Sequence, residues 1–195
     1  MWGSAAHAHR PGALNEKSRA FLEQARADFA AFGELVARTR EADPVRPCHQ
    51  LLFLQMAGEK LAKSFIYCRE PDDFHGHTAL RKLPHFLTHP RTRQVLGYRN
   101  DRVLGAALNG FRQYCDEIAR LSPAVAGGEM RVGSEVCRDK IQNIEYPWQQ
   151  GGQWQTPKSF YFDLVNRLRL EPTTKQNHHL LRLVFERAEQ LMPDG

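Results

Sequence analysis

The stretch from His49 to Leu87 organises the rest of the chain. From His49 to Cys68 the apolar residues Leu51, Leu54, Leu61 and Phe65 recur at spacings of three, seven and four, one side of a helix. Gly58 continues that stripe without a side chain, a place where a second helix can approach closely. Glu59, Lys60 and Lys63 fall mostly on the opposite side, and Glu59 with Lys63 makes a favourable i,i+4 pair. Pro47 stands just ahead and Pro71 closes the segment, so the spacing predicts a helix over roughly residues 48–68.

Around it, other helices can be read. Leu22, Ala25, Phe29, Phe32 and Val36 alternate at three and four, predicting a first helix from near Leu14 to before Pro44. The short link with Pro44 and Pro47 predicts that these two helices pack antiparallel. Asp72 and Asp73 offer caps before a short helix over Ala79–Phe86, broken around Pro84 and Pro90. A single helix over Thr92–Leu121 follows, with an apolar stripe from Val95 to Ile118 and a basic face that includes Arg91, Arg93, Arg99, Arg102 and Arg112.

Residues 122–138 read as a loop, and the run from Tyr146 to Phe162, rich in aromatics and glycine, reads as a surface hairpin or ordered loop. Pro172, Thr173 and Thr174 announce a last helix whose inward face is Leu180, Leu181, Val184, Ala188 and Leu191. The expected fold is all-α: an antiparallel bundle of about five helices, with the aromatic, glycine-rich loop before the last. Residues 1–13 are expected to be a disordered leader, and residues 14–192 a single domain.

The chain has 195 residues, 42% hydrophobic and 25% charged, enough for one globular core without a second. No run reaches the ~18 apolar residues that span a bilayer, and the first residues lack a signal-peptide core, so a cytoplasmic protein without membrane contact is expected. Cys48, Cys68, Cys115 and Cys137 are widely separated and read as reduced, partly buried residues. A formal net charge of +5 favours an anionic partner such as RNA or a nucleotide.

Gln55, Glu59, Lys60 and Lys63 resemble the Q-x-x-x-E-K-x-x-K signature in the second helix of HEPN domains, and His77 to Leu83 resembles the H-x-L-x-x-L segment that follows it. The run from Gly97 to Leu104 is similar to the G-F-R-N-x-x-V-H context of HEPN ribonucleases. It matches through Gly97, Tyr98, Arg99, Asn100 and Val103, but Leu104 stands where those enzymes have histidine. The resemblance implies a HEPN-like bundle, often a homodimer, in which Arg and His act together on RNA. With no imidazole at that position, the obvious general acid or base is missing, while Arg99 keeps its capacity to hold a phosphate. Tyr146–Pro147 resembles the R-Y-P run of one HEPN branch, with Glu145 in place of the Arg.

Other groups in the sequence carry candidate chemistry. His75, His77, His85 and His89, with Asp72 and Asp73, match no zinc spacing, so no metal and no cofactor are expected. His178 and His179 point about 100° apart on a helix and do not serve one site together. Tyr146, Trp148, Trp154, Phe160, Tyr161 and Phe162, interleaved with Lys158, offer stacking faces next to a cation, or simply a cover over one end of the bundle. Glycine-rich phosphate loops and nucleophile elbows are absent.

Three functions emerge. The first is a HEPN-like binding or assembly protein without ribonuclease activity, tied to nucleic acid or to a defence or toxin–antitoxin complex. Its anion site is expected at Arg99, Arg102, Arg91 and Lys82, with a homodimer or larger complex as the assembly. The alternative is a divergent, metal-independent HEPN ribonuclease using Arg99 and Asn100 with a histidine recruited from elsewhere, such as His77 or His178. A purely structural adaptor is the third class.

Overall fold

The computed structural model describes residues 14–38, 46–69, 78–122, 131–132, 135–136, 144–145, 148–150, 153–158 and 161–192. The expected leader, residues 1–13, lies outside them. Helix α1 (Glu16–Ala37) begins where Asn15 Oδ1 accepts the Ser18 N–H at 2.8 Å. Helix α2 (Pro47–Arg69) has proline in its first turn, where the missing N–H costs nothing. Asn15 Nδ2 donates to the Tyr67 carbonyl at 2.7 Å and Ser18 Oγ to the Ser64 carbonyl at 2.7 Å, while Asp28 pairs with Lys60. The partners descend α2 as they climb α1, the order of two helices running in opposite directions.

Helix α2 is the buried spine: Leu51, Leu54, Ala57, Leu61, Ala62 and Phe65 are all fully enclosed. Its glycine has a structural cause. A Cβ added at Gly58 would lie 2.9 Å from Leu80 Cδ2, so the chain can bring α3 (Ala79–Phe86) in only where that carbon is absent. Pro84 does not break α3, as its sequence suggested; its ring is buried within the helix. Burying that apolar ring offsets the one backbone hydrogen bond it removes.

The single helix expected over Thr92–Leu121 is two helices. Helix α4 (Pro90–Leu96) stops at Gly97, whose φ of 76° is the left-handed conformation that ends helices. The Tyr98 N–H then returns to the Arg93 carbonyl at 2.9 Å. Helix α5 (Asp101–Ala119) restarts from Asn100, whose Oδ1 accepts the Val103 N–H at 3.0 Å. Both sides of the elbow carry apolar residues in phase, which is why periodicity alone joined them.

The expected loop at 122–138 contains a two-residue antiparallel ladder, β1 (Arg131–Val132) with β2 (Glu135–Val136). The expected hairpin is present as β3 (Trp148–Gln150) paired antiparallel with β4 (Gln153–Gln155). Helix α6 (Asp163–Leu170) follows, and its Arg167 pairs with Asp163 one turn back and with Glu117 on α5. The last helix is also divided, into α7 (Pro172–Glu186) and α8 (Ala188–Leu191), and Arg187 between them donates to the Val95 carbonyl of α4. Leu180, Leu181, Val184, Ala188 and Leu191 are buried, and Phe185 stacks on Phe29 of α1 at 4.2 Å.

The described residues are thus mostly helical, with eight helices rather than about five. None of these helices is long and apolar enough to cross a membrane. Cys48, Cys68 and Cys115 are free thiols, two of them buried; Cys137 lies outside the described residues.

Candidate functional site

The first candidate is the elbow between α4 and α5. Arg99 is exposed on the turn, and its carbonyl accepts from the Arg93 guanidinium at 3.3 Å. Arg93 also pairs with Asp101 at 3.1 Å, so its charge is balanced locally. Arg102 is exposed in the first turn of α5. Neither the Arg99 nor the Arg102 side chain has an ion pair or hydrogen bond among the described residues, and they lie within one helical turn of each other. Asn100, the neighbour that completes the resemblance, is occupied as the cap of α5.

The other two predicted cations stand apart. Arg91 sits at the opposite end of α4 from the elbow, half-buried. Lys82 is on α3, next to Arg81, which pairs with Asp116 at 2.7 Å. Asp116 lies fifteen positions along α5 from Asp101, roughly 22 Å at the helical rise. Lys82 therefore flanks the far half of α5.

No imidazole is brought to the elbow among the described residues. His89 is the cap at the far end of α4, its Nδ1 accepting the Arg91 N–H at 3.3 Å, and His85 is exposed on α3. His75 and His77, with Asp72 and Asp73, lie outside the described residues. His179 is exposed and 3.0 Å from the Arg182 guanidinium. His178 bonds through Nδ1 to the Tyr114 hydroxyl at 3.0 Å and lies against Phe29 and Phe32. Tyr114 is thirteen positions into α5, about 20 Å from its start, which leaves His178 remote from Arg99. Burial lowers its pKa to about 4, with Arg182 and His179 adding to the effect, so it is a neutral bridge between α1, α5 and α7. No group of three or more His, Cys, Asp or Glu able to hold a metal ion occurs among the described residues.

The second candidate is a cleft of about 710 Å³ that the sequence did not announce. One wall is α2, through two adjacent rows of side chains at i, i+4, i+8: Leu52, Met56 and Lys60, then Gln55, Glu59 and Lys63. Glu59, Lys60 and Lys63 thus do not form a solvent-facing side opposite the core. They line a recess, closed by Phe21 of α1 and by Ile144, Glu145, Thr156, Pro157 and Lys158 from across it. Ile144 is fixed by its N–H to the Leu121 carbonyl at 3.1 Å.

The polar row is internally bonded. Gln55 Nε2 donates to Glu59 Oε2 at 2.9 Å, and Lys63 Nζ donates to Glu59 Oε1 at 2.7 Å. Lys60 pairs with Asp28, which also accepts from Gln24 at 2.9 Å. Asp28, at 5% exposure, is a carboxylate set into the apolar seam of α1, and Lys60 is its counter-charge from α2. Lys60 therefore joins α2 to α1, while Gln55, Glu59 and Lys63 bond to one another along the cleft wall. The one sequence signal for this arrangement was their spacing.

The aromatic run supplies less than its composition suggested. Trp154 and Tyr161 are exposed, and Phe162 is buried at the start of α6. Tyr146 and Phe160 lie outside the described residues. Comparison with known proteins finds no matching family model, no matching curated protein and no matching solved structure.

Proposed function

We propose that this chain is a HEPN-like helical protein, an antiparallel bundle that binds or assembles with an anionic partner without cutting it. RNA is the partner we favour, with the elbow as the contact and a nucleic-acid-linked or defence complex as the setting. The supporting observation is the pair Arg99 and Arg102: two exposed guanidinium groups, free of ion pairs among the described residues, on a turn capped on both sides. A guanidinium binds phosphate oxygens without proton transfer, so the pair needs no base to bind. Arg91 and Lys82 are too far from it to share one phosphate and would meet a longer anion at other points. The distance of His178 from the elbow favours binding over cleavage.

The test is binding of a fluorescent single-stranded RNA at several salt concentrations, with total RNA incubated in chelator beside it. Affinity is expected to fall as salt rises, and Arg99→Ala with Arg102→Ala to flatten the log–log slope by about 1.4, at ~0.7 per phosphate contact. RNA is expected to remain intact. Unchanged affinity in the double variant would remove the elbow from the reading. Cleavage by the wild type that disappears in Arg99→Ala would replace binding with a divergent ribonuclease. Light scattering tests the homodimer, and a monomeric mass at micromolar concentration would reject it.

A further inference from the structure

The cleft on α2 has features that the paired network does not use. Gln55 is 3% exposed and lines the cavity, and the Glu59 carboxylate fixes the orientation of its amide. Nitrogen must face that carboxylate, so the carbonyl oxygen is the acceptor that Gln55 presents to a donor in the cleft. Beside it, Phe21, Leu52 and Met56 offer an apolar surface. On the same wall, Lys60 and Lys63 are neutralised by Asp28 and Glu59, and across the cleft Glu145 has an interaction of its own. Lys158 is exposed at the rim with no ion pair among the described residues. It is the one lining cation whose charge is left uncompensated there.

We infer that this cleft binds a small amphipathic anion, its flat or acyl body on Phe21, Leu52 and Met56, a donor on Gln55 Oε1 and a carboxylate or phosphate on Lys158. The volume suits one such molecule, since ligand cavities run from about 300 to 1,000 Å³. This site is separate from the elbow and does not depend on it.

The probe is 8-anilinonaphthalene-1-sulfonate, which carries an aromatic body, an N–H and an anion, titrated into the full chain by fluorescence. Saturable binding at one site is expected. Lys158→Ala should weaken it by about three- to tenfold, the range of a charge-assisted contact. Met56→Trp, which fills the cavity, should abolish it. Indole-3-acetate or phenyl phosphate should displace the probe, the stronger competitor identifying the anion type, whereas uncharged indole-3-acetamide should not. Displacement by the acetamide as well as by the acetate, or full affinity in Met56→Trp, overturns the inference. Should Met56→Trp fail to fold, by circular dichroism, the exposed Lys158→Ala decides: unchanged affinity there also overturns it.

Discussion

Acid should destabilise this protein through one imidazole. His178 is enclosed by Phe29 and Phe32 of α1 and by the Tyr114 hydroxyl of α5, and the nearest titratable groups on its own helix are Arg182 and His179. No carboxylate figures among these neighbours, so nothing there repays the desolvation of a protonated ring. The folded-state pKa is about 4, below the ordinary 6.5 that the unfolded chain would show. Because the folded pKa is the lower one, the unfolded state takes up the proton first. The contribution is complete above pH ~6.5, and it drains away as the pH falls toward 4. At 1.36 kcal/mol per pKa unit, the loss is about 2 kcal/mol by pH 5 and about 3 kcal/mol by pH 4. The assay is urea unfolding followed by circular dichroism at pH 7 and pH 5, for the wild type and for His178→Gln. Glutamine cannot titrate but keeps a polar group beside Tyr114. The other histidines are common to both proteins, so the difference between the two losses isolates His178. Wild type should lose about 2 kcal/mol more than the variant. Equal losses would refute the reasoning.

Three glycines make a second experiment. Gly33→Ala and Gly105→Ala place a methyl in open space within helices and should each raise stability by roughly 0.5–1 kcal/mol, read as a higher urea midpoint. Gly58→Ala should lower it by roughly 1–2 kcal/mol, since the new methyl meets Leu80, which is itself locked in the core; a rise would show that α3 moves aside. Lys60→Met should destabilise by roughly 3 kcal/mol by leaving Asp28 buried without its counter-charge, and Lys60→Met with Asp28→Leu should recover much of that loss. A single variant as stable as the wild type in urea would show that Asp28 is solvated.

What was legible from the chain follows from the range of the interactions involved. Helix α2 was readable almost to the residue because prolines bracket it and because one apolar stripe faces the core. Gly58 was read as a point of close approach, and Leu80 fills it. The division at Gly97 was missed because Val95, Leu96, Val103 and Leu104 keep a common phase across it. Its signal was nevertheless present, a glycine followed three residues later by the Asn–Asp pair that starts a helix. Helix α6 was missed for a different reason. It is eight residues long with only the adjacent Leu164 and Val165 buried, too few to set a helical period, and Arg167 ties it to Glu117 on α5. The cleft was the least legible. Glu59, Lys60 and Lys63 look solvent-facing in sequence, and Asp28, which pulls Lys60 inward, lies 32 residues away. The cations expected at one anion site divide similarly, since only Arg99 and Arg102 are close in the chain and stay close in the fold.

The amide of Asn15 has a consequence for the electrostatics of the helix pair. Its oxygen holds the start of α1 and its nitrogen the end of α2. Two opposite helix macrodipoles therefore converge on one neutral side chain, positive from α1 and negative from α2. Aspartate is as good as asparagine at an ordinary helix start, and its charge usually helps there. Here it would lose the donor that satisfies Tyr67 and would set a negative charge against the carbonyl end of α2. Asn15→Asp should therefore melt below the wild type, and the deficit should shrink as added salt screens the repulsion. A substitution that either helix alone would accept is excluded by the two together.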